Sequence, residues 1–381
     1  MRRAGPVVLG KFILPMVSLF FLTGANVFAL ELDNGVDPAN LGKGDWIWEL
    51  TNCETNLGFT VGDAQDVINF EQSEGMQWIT VKCGDGTNIW TQFTSDLVTR
   101  AHAAGLKIFA WAYVYGGSDV PGEINVALNA LNLGADGFII DAETEYEAAG
   151  QSANAVNYCK GIRAVYPTRF MAHSPFPIIT DHSTFPYVQF GTYCNAVMPQ
   201  DYWADIGGTN YAATMVARMN TEWINWQNSL NSSETNAIKP IAPIGQGYNS
   251  VSGNVDGTQI AAFFAALQTS TPMATPGGFH GVSFWSCQDH GVAPNKWPAI
   301  GAISFPPAQP AQFQGIAMQP DSSLLLTATG QPNATYIVET STDLTNWTTL
   351  TNLVATNGQF TFNAGSPTNG AQRFFRARSG P

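Results

Sequence analysis

Between residues 40 and 300 the chain alternates two hydrophobic patterns. Short apolar runs at 45–50, 78–82, 107–111, 137–141, 169–173, 196–199, 239–244 and 281–285 read as strands buried on both faces. Between them, 63–74, 91–104, 122–133, 152–166, 211–229 and 258–269 carry apolar residues at i, i+3, i+4 spacing, the stripe of an amphipathic helix. Gly75, Gly105 and Gly134 follow three of these stretches, where a helix ends in the left-handed conformation. Eight strand–helix repeats over roughly 260 residues predict an α/β fold, a (β/α)8 TIM barrel covering residues 30–302. A doubly wound open sheet is the other α/β solution. It normally has fewer strands and a glycine-rich nucleotide loop, and the sequence shows no such loop.

The pattern changes at 303–312, where Pro306, Pro307 and Pro310 fall close together and read as a stiff linker. Beyond it, 322–328, 335–340, 347–353, 359–363 and 373–378 are short strand-like runs punctuated by Gly, Asn, Asp and Pro. They predict a small β-sandwich module over 313–381.

At the other end, Arg2, Arg3 and Lys11 precede an apolar stretch at 12–22, interrupted by Pro15, and Val27-Phe28-Ala29 supplies small residues for cleavage after Ala29. This reads as a secretory signal over 1–29 and predicts a secreted or cell-surface protein. The alternative is an uncleaved anchor, for which the apolar stretch is short. No stable membrane insertion is expected once the signal is removed.

Composition narrows the choice of partner. The 381 residues are 45% hydrophobic, 12% aromatic and only 12% charged, with a net charge of −13. The signal holds three of the basic residues and no acid, so the mature chain is more acidic still. A strongly acidic chain without basic stripes argues against a nucleic-acid partner. The five cysteines (Cys53, Cys83, Cys159, Cys194, Cys287) are odd in number, so at least one stays free or pairs elsewhere, and the sequence does not say which. No CxxC spacing occurs, and His102, His173, His182, His280 and His290 are scattered, so neither a metal site nor a cofactor is expected.

Candidate chemistry concentrates at the run 137–147, where an apolar strand ends in Asp141, Glu143, Glu145 and Glu147. Positions i and i+2 of a strand share a face, so Asp141 and Glu143 leave the sheet side by side at its carboxyl end, where barrel active sites lie. Paired carboxylates suit glycosidic cleavage. Glu143 is the candidate general acid and Asp141 its inward partner; Asp201, after strand six, is a candidate carboxylate from across the barrel. Glu145 and Glu147 read as loop charges. Other strand ends supply Lys82, Asp85, Tyr113, Tyr115, His173, Gln200, Tyr202, Trp203, Tyr248, Trp285 and Gln288 as candidate substrate contacts. Aromatic faces stack on sugar rings, while carboxylates and amides bind hydroxyls. Lys82 is the one cation on this rim, which disfavours a phosphate substrate. His173 and each aromatic ring have packing roles as their alternative, and Lys82 with Asp85 reads also as an ion pair holding the rim.

The strand ending Asp141-Ala142-Glu143 resembles that of family 25 lysozymes and, more loosely, of family 18 chitinases; residues 281–286 resemble the last strand of both. Residues 198–202 resemble the chitinase strand-six region with Tyr and Asp exchanged, and the same strings are similar to those of exported glycoside-hydrolase-like barrels. Two departures stand out. Gly137 and Ile139 occupy positions where chitinases carry further aspartates, and the early strand-one aspartate of the lysozymes has Asp45 or Glu49 as its counterpart. The end module, with Ser341 to Trp347 and Arg373 to Ala377, resembles C-terminal modules of exported verrucomicrobial proteins. The resemblance implies a secreted glycoside hydrolase acting on a β-linked polysaccharide, with an N-acetylhexosamine polymer such as peptidoglycan or chitin as the first expectation. A non-catalytic glycan-binding barrel is the alternative, and a Schiff-base lyase through Lys82 lacks the phosphate or carboxylate clamp it would need. Retaining, inverting and substrate-assisted routes, and the oligomeric state, stay open at this level.

Overall fold

The computed structural model describes residues 32–270, 279–290, 296–304, 311–330, 335–355, 358–366 and 373–379. The predicted signal segment and the proline cluster at 306–310 lie outside these residues.

The first part is a parallel sheet closed on itself. Its strands are β1 (Gly42–Ile47), β2 (Trp78–Asp85) with the short antiparallel β3 (Asn88–Ile89), β4 (Lys107–Val114), β5 (Gly137–Ala142), β6 (Phe170–His173), β7 (Ala196–Val197), β8 (Gln200–Asp201), β9 (Ile244–Gln246) and β10 (Gly281–Trp285). Pairing runs β7-β6-β5-β4-β2-β1-β10-β9-β8. Because β7 and β8 are consecutive pieces of one extended stretch, the two ends of this path meet. Val197 donates to Pro240 O at 3.0 Å and Ile244 to Pro199 O at 2.8 Å, which completes the ring. This is the predicted eight-stranded (β/α)8 barrel.

Helices pack outside: α1 (Leu50–Leu57), α2 (Ala64–Ser73), α3 (Ser95–Ala103), α4 (Val120–Asn132), α5 (Gln151–Val165), α6 (Tyr187–Tyr193), α7 (Trp203–Ile206), α8 (Ala212–Ser229), α9 (Gly257–Thr269), α10 (Cys287–His290) and α11 (Lys296–Gly301). Their starts follow capping chemistry. Asp63 accepts from Gln65 N, Thr94 from Leu97 N, and Asp256 forms a reciprocal box with Gln259. As the sequence predicts, Gly75, Gly105 and Gly134 take φ of +77°, +81° and +105° at helix ends. The helices α1, α6, α7, α10 and α11, which the sequence pattern did not predict, are 4 to 8 residues long, too short to build a readable amphipathic stripe. Among the described residues no helix is long and apolar enough to cross a membrane.

Two apolar layers follow from strand alternation. The inner layer includes Trp46, Trp78, Phe109, Trp111, Ile139, Phe170 and Ile244; the larger outer layer, under the helices, includes Ile47, Val81, Ile108, Phe138, Ile140 and Val282. The barrel interior is filled by rings: Trp78–Phe109 and Phe109–Phe170 centroids are 5.3 and 4.9 Å apart near one end, and Trp46, Trp111 and Trp285 lie 5.2–5.6 Å apart near the other. Such bulk fits because small residues face it; a Cβ at Gly44 would stand 2.1 Å from the Trp78 ring.

Beyond the barrel, β11 (Gln312–Met318), β12 (Leu324–Thr329) and β15 (Gln359–Asn363) form one antiparallel sheet, and β14 (Thr348–Val354), β13 (Thr335–Ser341) and β16 (Phe374–Ser379) another. Leu326, Ala328, Phe360 and Phe362 of the first share a core with Tyr336 and Val338 of the second. The sequence pattern missed β11, which is exposed along its whole length and so shows no buried alternation.

Gly44→Ala is expected to destabilise the barrel by roughly 1–3 kcal/mol, because the added methyl forces the Trp78 ring out of its packed position. Urea unfolding followed by Trp fluorescence measures this, and an unchanged midpoint would contradict the packing described.

Candidate active site

Alternation along β5 builds the site. Phe138, Ile140 and Ala142 face the helices, whereas Ile139 faces the barrel interior. Asp141 and Glu143, in phase with Ile139, meet over the carboxyl end of the sheet, Glu143 being the first residue past the strand. Both line a cavity of about 160 Å³ with Trp46, Gln200, Tyr202, Ile244 and Trp285. This is a space on the scale of one sugar ring, below the 300–1,000 Å³ usual for larger ligands.

One side-chain amide organises the acids. Gln200 Nε2 donates to Asp141 Oδ1 at 3.1 Å, to Glu143 Oε1 at 3.0 Å and to Ser174 O at 3.0 Å. Ser174 Oγ adds a bond to Asp141 Oδ1 at 2.9 Å. The two carboxylate oxygens on one nitrogen are therefore no more than about 6 Å apart. Burial raises the pKa of Asp141 well above the ordinary carboxylate value, and the neighbouring Glu143 raises it further. Glu143, half-buried, is also raised by burial, with the Gln200 bond opposing. Two acids held this close in a dry site cannot both ionise readily, so the pair retains a proton into a range where free carboxylates have lost theirs.

The surroundings stay negative. Lys82 Nζ is engaged by Asp85 at 2.6 Å and lies 4.6 Å from the Trp90 ring centroid and 4.9 Å from that of Trp111. Tyr115 donates to the other Asp85 oxygen at 2.8 Å, and Tyr113 to Glu145 at 2.7 Å. Lys82 and Asp85 thus form the rim-holding pair foreseen as one of their two roles. Glu145 falls in the first turn of a short 3-10 helix, Thr144–Glu147, consistent with a loop or helix-start charge, and accepts from Tyr113. Glu147 bonds His182 at 2.8 Å, away from the cavity lining. Tyr248 stands edge-on to Tyr202 with centroids 5.5 Å apart, and its hydroxyl donates to Asp205. Such a site favours a developing positive charge and disfavours an anionic ligand.

Of the predicted site residues, Asp141, Glu143, Gln200, Tyr202 and Trp285 line the cavity; Lys82, Asp85, Tyr113, Tyr115 and Tyr248 do not, and four more are engaged elsewhere. Asp201 follows Gln200 on β8 and so points the opposite way, into the helix layer, where it is fully buried with neither carboxylate oxygen hydrogen-bonded. His173 also faces outward, stacked on Phe185 and Phe190, and burial lowers its pKa to about 3. Trp203 is buried against Phe263. Gln288 accepts from Glu49 N at 2.7 Å and ties α10 to the start of α1. Asp45 likewise faces outward, where its Oδ1 is 2.9 Å from His290 Nε2, and Glu49 caps α1; neither lines the cavity. Sequence reasoning missed Trp46. The alternation Gly42, Gly44, Trp46 marks it as inward-facing, but the expected strand began at 45 and ran past it.

No protein-family model and no curated protein matches this chain. Among solved structures, a chitinase from Bacteroides thetaiotaomicron is similar at 11% identity and a TM-score of 0.48, covering 68% of this chain and 95% of that one. The active domain 2 of a thermostable chitinase from Pyrococcus furiosus is similar at 10% identity and 0.47, covering 70% and 97%. A fungal endo-β-N-acetylglucosaminidase from glycosyl hydrolase family 18 is similar at 12% and 0.45, covering 69% and 97%.

Asp201 gives a test of this placement. Burial raises its folded pKa, so its contribution to stability is fully present below the unfolded value near 3.9 and is lost as pH rises through the folded one. The stability of Asp201→Asn relative to the native chain should therefore increase as pH rises from about 4 toward the raised folded value, measured by chemical denaturation. A difference that does not vary with pH would place Asp201 in water.

Proposed function

We propose that the protein is an exported glycoside hydrolase that cleaves a β-linked polysaccharide of N-acetylhexosamine units, with Glu143 as general acid. The observation that carries this reading is the carboxyl pair bridged by Gln200 inside a cavity walled by Trp46, Tyr202 and Trp285. Glu143 is the more exposed of the two acids and its raised pKa keeps a proton available for a leaving-group oxygen. Asp141 lies deeper, fixed by Ser174 and Gln200; the pair shares one proton, and once that proton goes to the leaving-group oxygen the negative charge left on the pair would stabilise a cation formed beside it.

The geometry also supports a choice of route. A separation of about 6 Å or less is shorter than the 6.5–9.5 Å that leaves room for a water in inversion. Asp141 and Glu143 arise from one strand and lie on the same side of the cavity, and Asp201 lies outside the lining. Among the described residues, Asp141 and Glu143 are the carboxylates of that lining, and no further one stands opposite Glu143 as a nucleophile. A neighbouring acetamido oxygen of the substrate fills that role in this reading, which favours an N-acetylated sugar over a plain hexose. Trp285 and Tyr202 supply aromatic walls to the same space.

Purified protein on chitin oligosaccharides, peptidoglycan and unacetylated β-glucans, assayed for new reducing ends, tests the proposal. Glu143→Gln is expected to lower kcat by about 10²–10⁴-fold with binding retained. Trp285→Ala is expected to weaken binding by about tenfold through loss of one aromatic face. Activity should fall as pH rises past the raised pKa of Glu143, since the acid is then deprotonated. Binding by the native chain without reducing ends on any of these glycans would favour the non-catalytic glycan-binding alternative.

A further inference from the structure

Four of the five cysteines occur as two neighbouring pairs. Cys53 neighbours Cys287 where α10 meets α1, and Cys159 neighbours Cys194 where α5 meets the end of α6. All four are buried, and none is disulfide-bonded in this structure. Cys83, on β2, interacts instead with Tyr158. The sequence leaves one cysteine over by parity; the fold identifies which.

Each pair is held in place by flanking hydrogen bonds. Around the first, Gln288 Oε1 accepts from Glu49 N at 2.7 Å and Gln288 O accepts from Asn56 Nδ2 at 2.7 Å, so α10 is already tied to both ends of α1. Around the second, Arg163 on α5 donates to Tyr193 O at 3.0 and 2.8 Å and to Asn195 Oδ1 at 2.7 Å, which grips the residues on either side of Cys194.

We propose that the mature protein carries two disulfides, Cys53–Cys287 and Cys159–Cys194, with Cys83 as its single free thiol. The first has a defined mechanical position. β1 and β10 are paired parallel neighbours, Gly42 to Gly281 through Asp45 to Phe284, and α1 and α10 follow them directly. Cys53–Cys287 is therefore a covalent staple across the seam where the first and last units of the barrel meet. It also anchors the chain two residues after Trp285, a wall of the cavity. The second staple joins α5 to the end of α6, behind the strands that carry Asp141 and Ser174. Closure of the long first loop removes the most chain entropy from the unfolded state.

In each step two thiols lose two protons and two electrons, one S–S bond forms, and a small-molecule or protein disulfide takes the electrons and becomes two thiols. The nucleophile is the thiolate, and burial pushes the thiols of Cys53, Cys159 and Cys287 upward, so the bonds form as the chain folds rather than after burial.

The test uses the full chain, unfolded and reduced, then refolded in a mixture of reduced and oxidised glutathione, trapped by alkylation and mapped by peptide mass analysis. Two cross-linked peptide pairs and alkylation of Cys83 alone are expected. Cys53→Ser should expose Cys287 to alkylation while leaving Cys159–Cys194 intact, and reduction of the native protein should lower Tm on the order of 5–10 °C. Five alkylated cysteines in soluble refolded protein, or any other pairing, overturns the proposal. If refolding yields no soluble protein, the same mapping on chain purified after export into an oxidising compartment gives the same two outcomes. Neither readout depends on glycosidase activity, so this inference stands or falls apart from the proposed function.

Discussion

A closed sheet gives every strand one face toward the barrel axis and one toward the helices, and this two-way choice governs the whole molecule. Asp141 and Glu143 act together because they are in phase with Ile139. Gln200 reaches them because it faces inward, and for the same reason its neighbour Asp201 cannot. The inner face carries the tryptophans and the acid pair; the outer face carries the aliphatic layer and isolated polar groups such as His173. A shift of one residue in β5 or β8 would exchange these roles completely.

The acids sit in this frame at some electrostatic cost. The cavity contains two carboxyls, with Glu145 and Asp85 nearby, and the adjacent cation Lys82 is already paired with Asp85. One amide nitrogen shared among three acceptors, together with Ser174, holds the pair without neutralising it. The arrangement keeps a proton on the pair and a negative field in the cavity. Both properties would serve the proposed cleavage through a cationic transition state, and neither adds to fold stability.

Away from the cavity, the seam between the first and last strands concentrates a second buried network. Gly247 O can only accept, so His290 Nδ1 carries the hydrogen and Nε2 is the acceptor facing Asp45. Burial lowers His290 to about 4 and raises Asp45 well above the usual carboxylate value, so the proton resides on Asp45. Glu71, also raised by burial and by Asp45, packs against Cys287. The seam is thus held by the Asp45–His290 hydrogen bond, by the Gln288 bonds and, in the proposed oxidised form, by Cys53–Cys287.

By itself the sequence determined the barrel, the β module and the acid pair. Each leaves a local, periodic trace: apolar runs spaced by amphipathic stretches, glycines at helix ends, and Asp141 and Glu143 two positions apart. It also placed Trp285, Tyr202 and Gln200 at the cavity, because strand ends in this fold converge there. The tertiary structure alone decided which rim residues face inward where strands are two to three residues long, as with Asp201, or where the start of a strand is ambiguous, as with Trp46. It alone set cysteines far apart in the chain side by side. Strand phase and long-range juxtaposition depend on how the sheet closes, and ring closure couples all eight strands at once, so no local window of residues contains that information.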